Sequence, residues 1–149
     1  AYIHFGSEDY DTSLFYLNSW LDLPSTIDNP NLQMLSRVFN LILHFELGNN
    51  VLLESLIKST YRFLKKENQL LEIEKAFISF IKTVIKAQGK RAINACFLKF
   101  KQQLESITGS EQASISAFDL MAWVDSKLLN VSFAEVVSNN LDKSKNIVA

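Results

Sequence analysis

Apolar residues recur every three or four positions along almost the whole chain, and this spacing is the feature that most restricts its fold. No stretch has the alternation of apolar and polar residues that is typical of a half-buried strand. The 149 residues include 4 glycines, and each glycine lies where one apolar series ends. The pattern therefore predicts an all-α fold of long helices joined by short turns.

Apolar spacing and flanking polar residues together predict where the helices lie. Residues 1–5 have the pattern of a helix end, and Ser7 and Asp9 are placed to cap the helix that follows. Pro30, Gly48 and Gly89 mark the ends of later segments, and Ser132 is placed to cap the last helix. The expected helices cover residues 9–23, 32–47, 52–66, 70–84, 93–107, 113–129 and 132–141.

Two recurrences indicate that pairs of helices are repeated. The segment 3–5, Ile-His-Phe, recurs as 43–45, Leu-His-Phe. Gly48 recurs as Gly89, an interval one position longer than that between the two histidine segments. A helix, a tight polar turn and a second helix with a period of about 40 residues are typical of an α-solenoid, in which each pair buries its apolar face on the next.

The segment 8–21 resembles the turn and second helix of a tetratricopeptide repeat. In that motif a tyrosine follows the turn and a small residue comes three positions later, as Tyr10 and Ser13 do here. Residues 47–50 resemble the same turn, but Leu53 stands where the small residue belongs, and the motif's period is about 34 residues. The segments 32–84 and 118–137 further resemble the C-terminal regions of uncharacterised bacterial tetratricopeptide-like proteins. The resemblance implies a degenerate α-solenoid and carries no known activity.

These patterns predict three regions. Residues 1–109 are expected to form stacked helix pairs whose first helix is truncated, and residues 110–141 are expected to form C-terminal capping helices. Residues 142–149 are polar and are expected to fray. We expect the chain to be the C-terminal part of a larger helical-repeat protein, located in the cytoplasm. No apolar run reaches the roughly 18–20 residues that a membrane span needs, so no membrane partner is expected.

The sequence lacks the common catalytic and metal-binding patterns. The single cysteine, Cys96, excludes an intramolecular disulfide, and His4 and His44 do not fit a zinc-ligand spacing. Phosphate-binding glycine loops, paired metal-binding histidines and nucleophile elbows are absent from the sequence. We therefore expect a protein that is not an enzyme and uses no cofactor or metal.

Positive charge is concentrated in the middle of the chain. The formal net charge is -1, but residues 58–101 hold eleven basic and three acidic residues, whereas residues 1–57 hold one basic and seven acidic residues. Lys58, Arg62, Lys65 and Lys66 share one face of a predicted helix. This face either binds an anionic partner or stays solvated. Aromatic residues do not alternate with these cations, which makes nucleic acid an unlikely partner.

The predicted helix over 32–47 is apolar on nearly every side. Such a helix is usually buried all round. By the tetratricopeptide resemblance, Leu35, Val38, Ile42 and Phe45 would line a concave groove for a partner helix. The open alternative is that neighbouring helices bury these four side chains.

The function predicted from the sequence is a non-enzymatic scaffold for protein–protein interaction, with a partner of unknown identity. Self-association through the N-terminal edge is a further expectation. One alternative is a helical bundle that binds a small apolar ligand in a closed cavity. The other is a binder of an anionic partner or nucleic acid through residues 58–101, with an affinity that falls steeply with salt. The candidate partner-binding residues are Leu35, Val38, Ile42, Phe45, Lys58, Arg62, Lys65 and Lys66.

Overall fold

The computed structural model describes residues 1–23, 29–68, 70–107 and 119–148. Within these ranges all regular secondary structure is helical, which confirms the all-α prediction. The helices are α1 Tyr2–Gly6, α2 Tyr10–Leu21, α3 Pro30–Glu46, α4 Asn50–Lys66, α5 Glu72–Val84, α6 Lys90–Ser106, α7 Leu120–Leu129 and α8 Phe133–Val148.

Short polar side chains start several of the helices. The Asp9 carboxylate accepts a hydrogen bond from the backbone N–H of Thr12 at 3.3 Å, which caps α2 as predicted. The Ser132 hydroxyl likewise accepts from the N–H of Glu135 at 3.2 Å, where the sequence predicts the start of the last helix. These caps satisfy amide groups that have no partner within the first helical turn.

Three predicted boundaries differ from those of the structure. The last helix was expected to end at residue 141, but α8 continues to Val148; fraying of residues 142–149 stays a prediction. Gly89 does not close α5, which ends at Val84; it is the N-cap of α6 instead. The predicted helix over 113–129 corresponds to α7 only from residue 120, and residues 113–118 of that prediction lie outside the described part of the chain.

Every pair of helices adjacent in the described chain order is in contact, and one core runs through all of them. The third helix lies near its centre, with Leu41, Ile42 and Leu43 fully buried. The other helices contribute apolar side chains that are at most 5% exposed: Phe5, Leu17, Leu53, Ile57, Phe77, Ile81, Phe97, Phe100, Trp123, Phe133 and Val136.

The C-terminal helices contact much more than the helix that precedes them. The Trp123 ring of α7 lies with its centroid 5.9 Å from that of Phe45, 6.0 Å from that of Phe80 and 5.4 Å from that of Phe97. Phe133 of α8 packs edge-on against Phe5 of α1 at 5.2 Å. Helices α7 and α8 therefore cover parts of α1, α3, α5 and α6, a wider contact than a cap on α6 alone would make.

The turn after α1 and the turn after α3 have the same backbone hydrogen bonds. The amides of Glu8 and Gly48 donate to the third residue before them at 3.0 and 3.1 Å, and both residues have a left-handed φ, 61° and 70°. The amides of Asp9 and Asn49 then donate to the carbonyls of the two histidines at 2.9 and 3.0 Å. The two turns, which follow the recurring histidine segments, are the same local structure.

Helices α2, α4 and α6 begin at Tyr10, Asn50 and Lys90, which are equally spaced along the chain. The interval from Gly48 to Gly89 is one residue longer than the spacing of these helix starts. At the interval between the helix starts, the buried Ile57 corresponds to the buried Phe97. The interval between the two glycines would instead match Ile57 with Leu98, which is 51% exposed.

Candidate functional site

The apolar candidates on α3 belong mainly to the core. Val38 is 1% and Ile42 0% exposed, and Leu35 and Phe45 are partly buried. The Phe45 ring packs edge-on against Phe97 of α6 at 5.9 Å. Val38 and Ile42 are therefore buried by neighbouring helices, which is the second of the two alternatives, and they do not line an open groove in this structure.

A buried carboxylate joins α3 to α7. The indole N–H of Trp123 donates to Glu46 Oε1 at 2.6 Å, and Lys127 Nζ donates to Glu46 Oε2 at 2.5 Å. The Glu46 side chain is only 7% exposed. Burial, together with the negative charges of Glu46 and Glu8, raises the pKa of the nearby Tyr10 hydroxyl, so Tyr10 stays neutral. Since both carboxylate oxygens have donors, this group of side chains holds the fold together and is not an open site.

Nothing in the sequence pattern singles out Glu46 for this role. It is the last residue of an apolar helix, a position where an acid is ordinarily solvated. Its two donors lie 77 and 81 residues further along the chain, so only the folded chain brings them together.

The four basic candidates are all exposed on α4. Lys58, Arg62, Lys65 and Lys66 point into solvent, as the helical spacing predicts. The lysines that form ion pairs in the described structure belong to other helices: Lys75 pairs with Glu72, Lys101 with Asp125 and Lys127 with Glu46. Within the described residues, the charge of the four α4 cations is therefore not compensated by a direct ion pair.

One of these cations, Lys58, lines an open groove between α4 and α5. The groove has a volume of about 250 Å³, with Ile57 and Ile85 as its apolar residues. Lys82 and Lys86 stand one helical turn apart on its α5 side, and Glu54 is the single acid of the lining. We call this the α4–α5 groove. Arg62, Lys65 and Lys66 are not among its lining residues.

Sequence reasoning missed one residue of this groove and one contact beside it. Lys82 and Lys86 extend the basic region in the sequence, but the partly buried Ile85 between them has no feature that marks it as part of a site. Tyr61 lies one helical turn after Lys58, and the ammonium group of Lys82 lies 5.6 Å from the centre of its ring. Residue spacing along α4 could not have indicated this contact, because Lys82 comes from the neighbouring helix α5.

A second open groove, of about 230 Å³, lies between α5 and α6. Phe80 and Phe100 stack at 4.4 Å beside it, and the partly buried Cys96 and the exposed Lys99 contribute to its lining. Both grooves open to solvent and are smaller than the roughly 300–1,000 Å³ of typical small-molecule pockets. They do not resemble the closed apolar cavity that the ligand-binding alternative predicts.

The histidines occupy the two equivalent turns. His44 is 7% exposed, and the side-chain amide group of Asn49 donates a hydrogen bond to its Nδ1 at 3.1 Å. Burial lowers the pKa of His44, so its neutral form is favoured. His4 lies 3.5 Å from the Asp9 carboxylate, whose pKa is lowered chiefly by its hydrogen bonds from Thr12.

The described ranges hold neither a group of metal-ligating side chains nor a membrane-spanning helix. Among those residues, no three histidine, cysteine, aspartate or glutamate side chains are grouped closely enough to hold a metal ion. None of the helices in the same ranges combines the length and the hydropathy needed to cross a membrane.

The N-terminal edge exposes large apolar side chains. Ile3 is 86%, Phe15 66% and Tyr16 50% exposed. Leu43, which occupies the position of Ile3 in the recurring segment, is completely buried, since α3 has neighbours on both sides. Self-association through this edge remains a prediction.

Comparison with known proteins gives no match: no family model, no curated protein and no solved structure is significantly similar to this chain. The resemblance of residues 8–21 to a tetratricopeptide repeat therefore remains a prediction from the residues themselves.

Proposed function

We propose that this chain is a helical-repeat domain that binds another protein through the exposed basic surface of α4 and α5, without catalysing a reaction. The repeats are the helix pairs α1–α2, α3–α4 and α5–α6. The equal spacing of the second helices and the matching turns after α1 and α3 support this assignment. In such a stack, each pair buries its apolar face on its neighbours and leaves outward side chains free to contact a partner.

The observation that carries the proposal is the positive charge on two neighbouring helices. Six exposed cations of this region form no ion pair within the described structure, although the chain as a whole is close to neutral. A surface of one sign attracts a partner of the opposite sign and orients it during encounter. The basic surface consists of Lys58, Arg62, Lys65, Lys66, Lys82 and Lys86.

The proposal predicts that binding depends on where the positive charge is placed. In a pull-down from cell extract, reversal of Lys58, Arg62, Lys65 and Lys66 to Glu should remove proteins that the unmodified chain captures. The matched control reverses four other exposed cations, Lys90, Arg91, Lys143 and Lys145, to Glu, and so changes the net charge equally. The control should keep these partners.

Circular dichroism should show that both variants keep the helical content of the unmodified chain. Equal loss of partners from both variants would mean that net charge, and not the α4 surface, governs capture. Retention of every partner by the α4 variant would contradict the proposal.

A further inference from the structure

We propose that the α4–α5 groove binds an acidic protein segment that places one apolar side chain against Ile85 and pairs its carboxylates with Lys58, Lys82 and Lys86. This inference rests on the proposed function and specifies its site and the chemistry of its partner.

The size and apolar residues of the groove suit a single side chain. Its volume of about 250 Å³ is below the range of ordinary small-molecule pockets. Ile57 is only 2% exposed, so the partly buried Ile85 and the methylene chains of the lining lysines supply the apolar surface that a leucine or phenylalanine side chain would cover. Burial of such a side chain would supply the non-directional part of the affinity.

The three lysines of the groove come from two helices and surround this apolar surface. Lys58 belongs to α4, and Lys82 and Lys86 line the groove from the α5 side. All three are exposed and form no ion pair in the described structure. Individual exposed ion pairs are weak. A ligand that has several carboxylates next to one apolar side chain would therefore bind more specifically than a ligand that has only the carboxylates.

Two features of the groove favour a protein segment over nucleic acid. Glu54 lies in the lining and can accept a hydrogen bond from a peptide N–H, a donor that a phosphate backbone lacks. The Tyr61 ring already has the Lys82 ammonium group 5.6 Å from its centre, and it is therefore less available as a stacking platform for a base.

Fluorescence anisotropy with two labelled peptides tests this proposal. The first peptide has twelve residues, with a single central leucine among glutamates and alanines; the second has serine in place of that leucine. The unmodified chain should bind the leucine peptide about tenfold more tightly than the serine peptide, since one leucine side chain is buried. Substitution Ile85→Ala should reduce this preference and leave the affinity for the serine peptide unchanged.

The charge variants distinguish the groove from the rest of the surface. Lys82→Glu with Lys86→Glu should weaken binding of the leucine peptide at least about tenfold, through loss of attraction and new repulsion. The matched variant Lys143→Glu with Lys145→Glu, which alters exposed lysines of α8 equally, should bind within about twofold of the unmodified chain.

Several results would overturn the groove proposal. These are an equal affinity for both peptides, no measurable binding of the leucine peptide, an unchanged affinity in the Lys82 and Lys86 variant, or tighter binding of a twenty-nucleotide oligothymidine. The broader function is tested separately in the pull-down. Partners lost on reversal of the α4 cations but kept by the Lys82 and Lys86 variant would leave the proposed function standing and reject the groove as its site.

Discussion

Glu46 joins α3 to α7 through a buried ion pair and a hydrogen bond. Its carboxylate receives the Trp123 indole N–H and the Lys127 ammonium group while only 7% of the side chain is exposed. Glu72 offers a useful contrast, since it pairs with Lys75 at 2.7 Å on the surface with its side chain 66% exposed. The two ion pairs differ mainly in burial, and burial decides how much the loss of one partner costs.

Substitution Glu46→Gln should lower the free energy of unfolding by about 1–3 kcal/mol, because a charge-assisted hydrogen bond is lost while an amide oxygen can still accept from Trp123. The control Glu72→Gln should change it by no more than about 0.5 kcal/mol. Urea unfolding followed by circular dichroism measures both. Equal effects of the two substitutions would show that the Glu46 contacts are not important for stability.

At the scale of elements, the turns after α1 and α3 have the same backbone conformation but are formed by different residues. Each helix is followed by a residue with a left-handed φ, Glu8 at 61° and Gly48 at 70°. Glycine adopts this conformation without steric cost, whereas a Cβ atom there is unfavourable. A Cβ added at Gly48 would meet no atom within 4 Å, so any penalty would come from the backbone angle alone.

The two turns should therefore respond to substitution in opposite directions. Glu8→Gly should raise the free energy of unfolding by about 0.5–1 kcal/mol, because it removes the strain of a left-handed non-glycine residue. Gly48→Ala should lower it by about 1 kcal/mol for the converse reason. Thermal and urea unfolding measure both changes. A destabilised Glu8→Gly variant would show that the side chain of Glu8 contributes more than its backbone strain costs.

At the scale of the whole molecule, α7 and α8 connect helices that are distant in the chain. In a simple stack of repeats each pair touches only its neighbours, and the ends can unfold separately. Here Trp123 contacts α3, α5 and α6, and Phe133 contacts α1. These contacts couple the first helix of the chain to the last, so we expect the described helices to unfold together.

Cooperative unfolding is testable with a single tryptophan probe. In a Trp20→Phe variant, only Trp123 remains to report by fluorescence on the packing of α7. Its urea transition should coincide with that of the helical signal in circular dichroism, as two-state behaviour requires. A fluorescence transition at clearly lower urea than the loss of helix would mean that α7 detaches from helices that remain folded.

The helices and their caps could be predicted because both depend on residues close together in the chain. Apolar spacing located α3 and α4 within a few residues, and the capping positions of Asp9 and Ser132 were correct. The function of Gly89 was misassigned, since a glycine with a positive φ can end one helix or begin the next. Sequence spacing alone does not distinguish these two roles.

The sequence by itself determined the all-α class, the helix segments and the exposure of the four cations on α4. Only the tertiary structure decided that Val38 and Ile42 are core residues, that Glu46 is held by α7, and that Lys58 meets Lys82 and Lys86 at one groove. The physical reason is how far apart in the chain the interacting residues are. Helix formation and capping use contacts within a few residues, whereas burial and ion pairing depend on side chains far along the chain that only packing brings together.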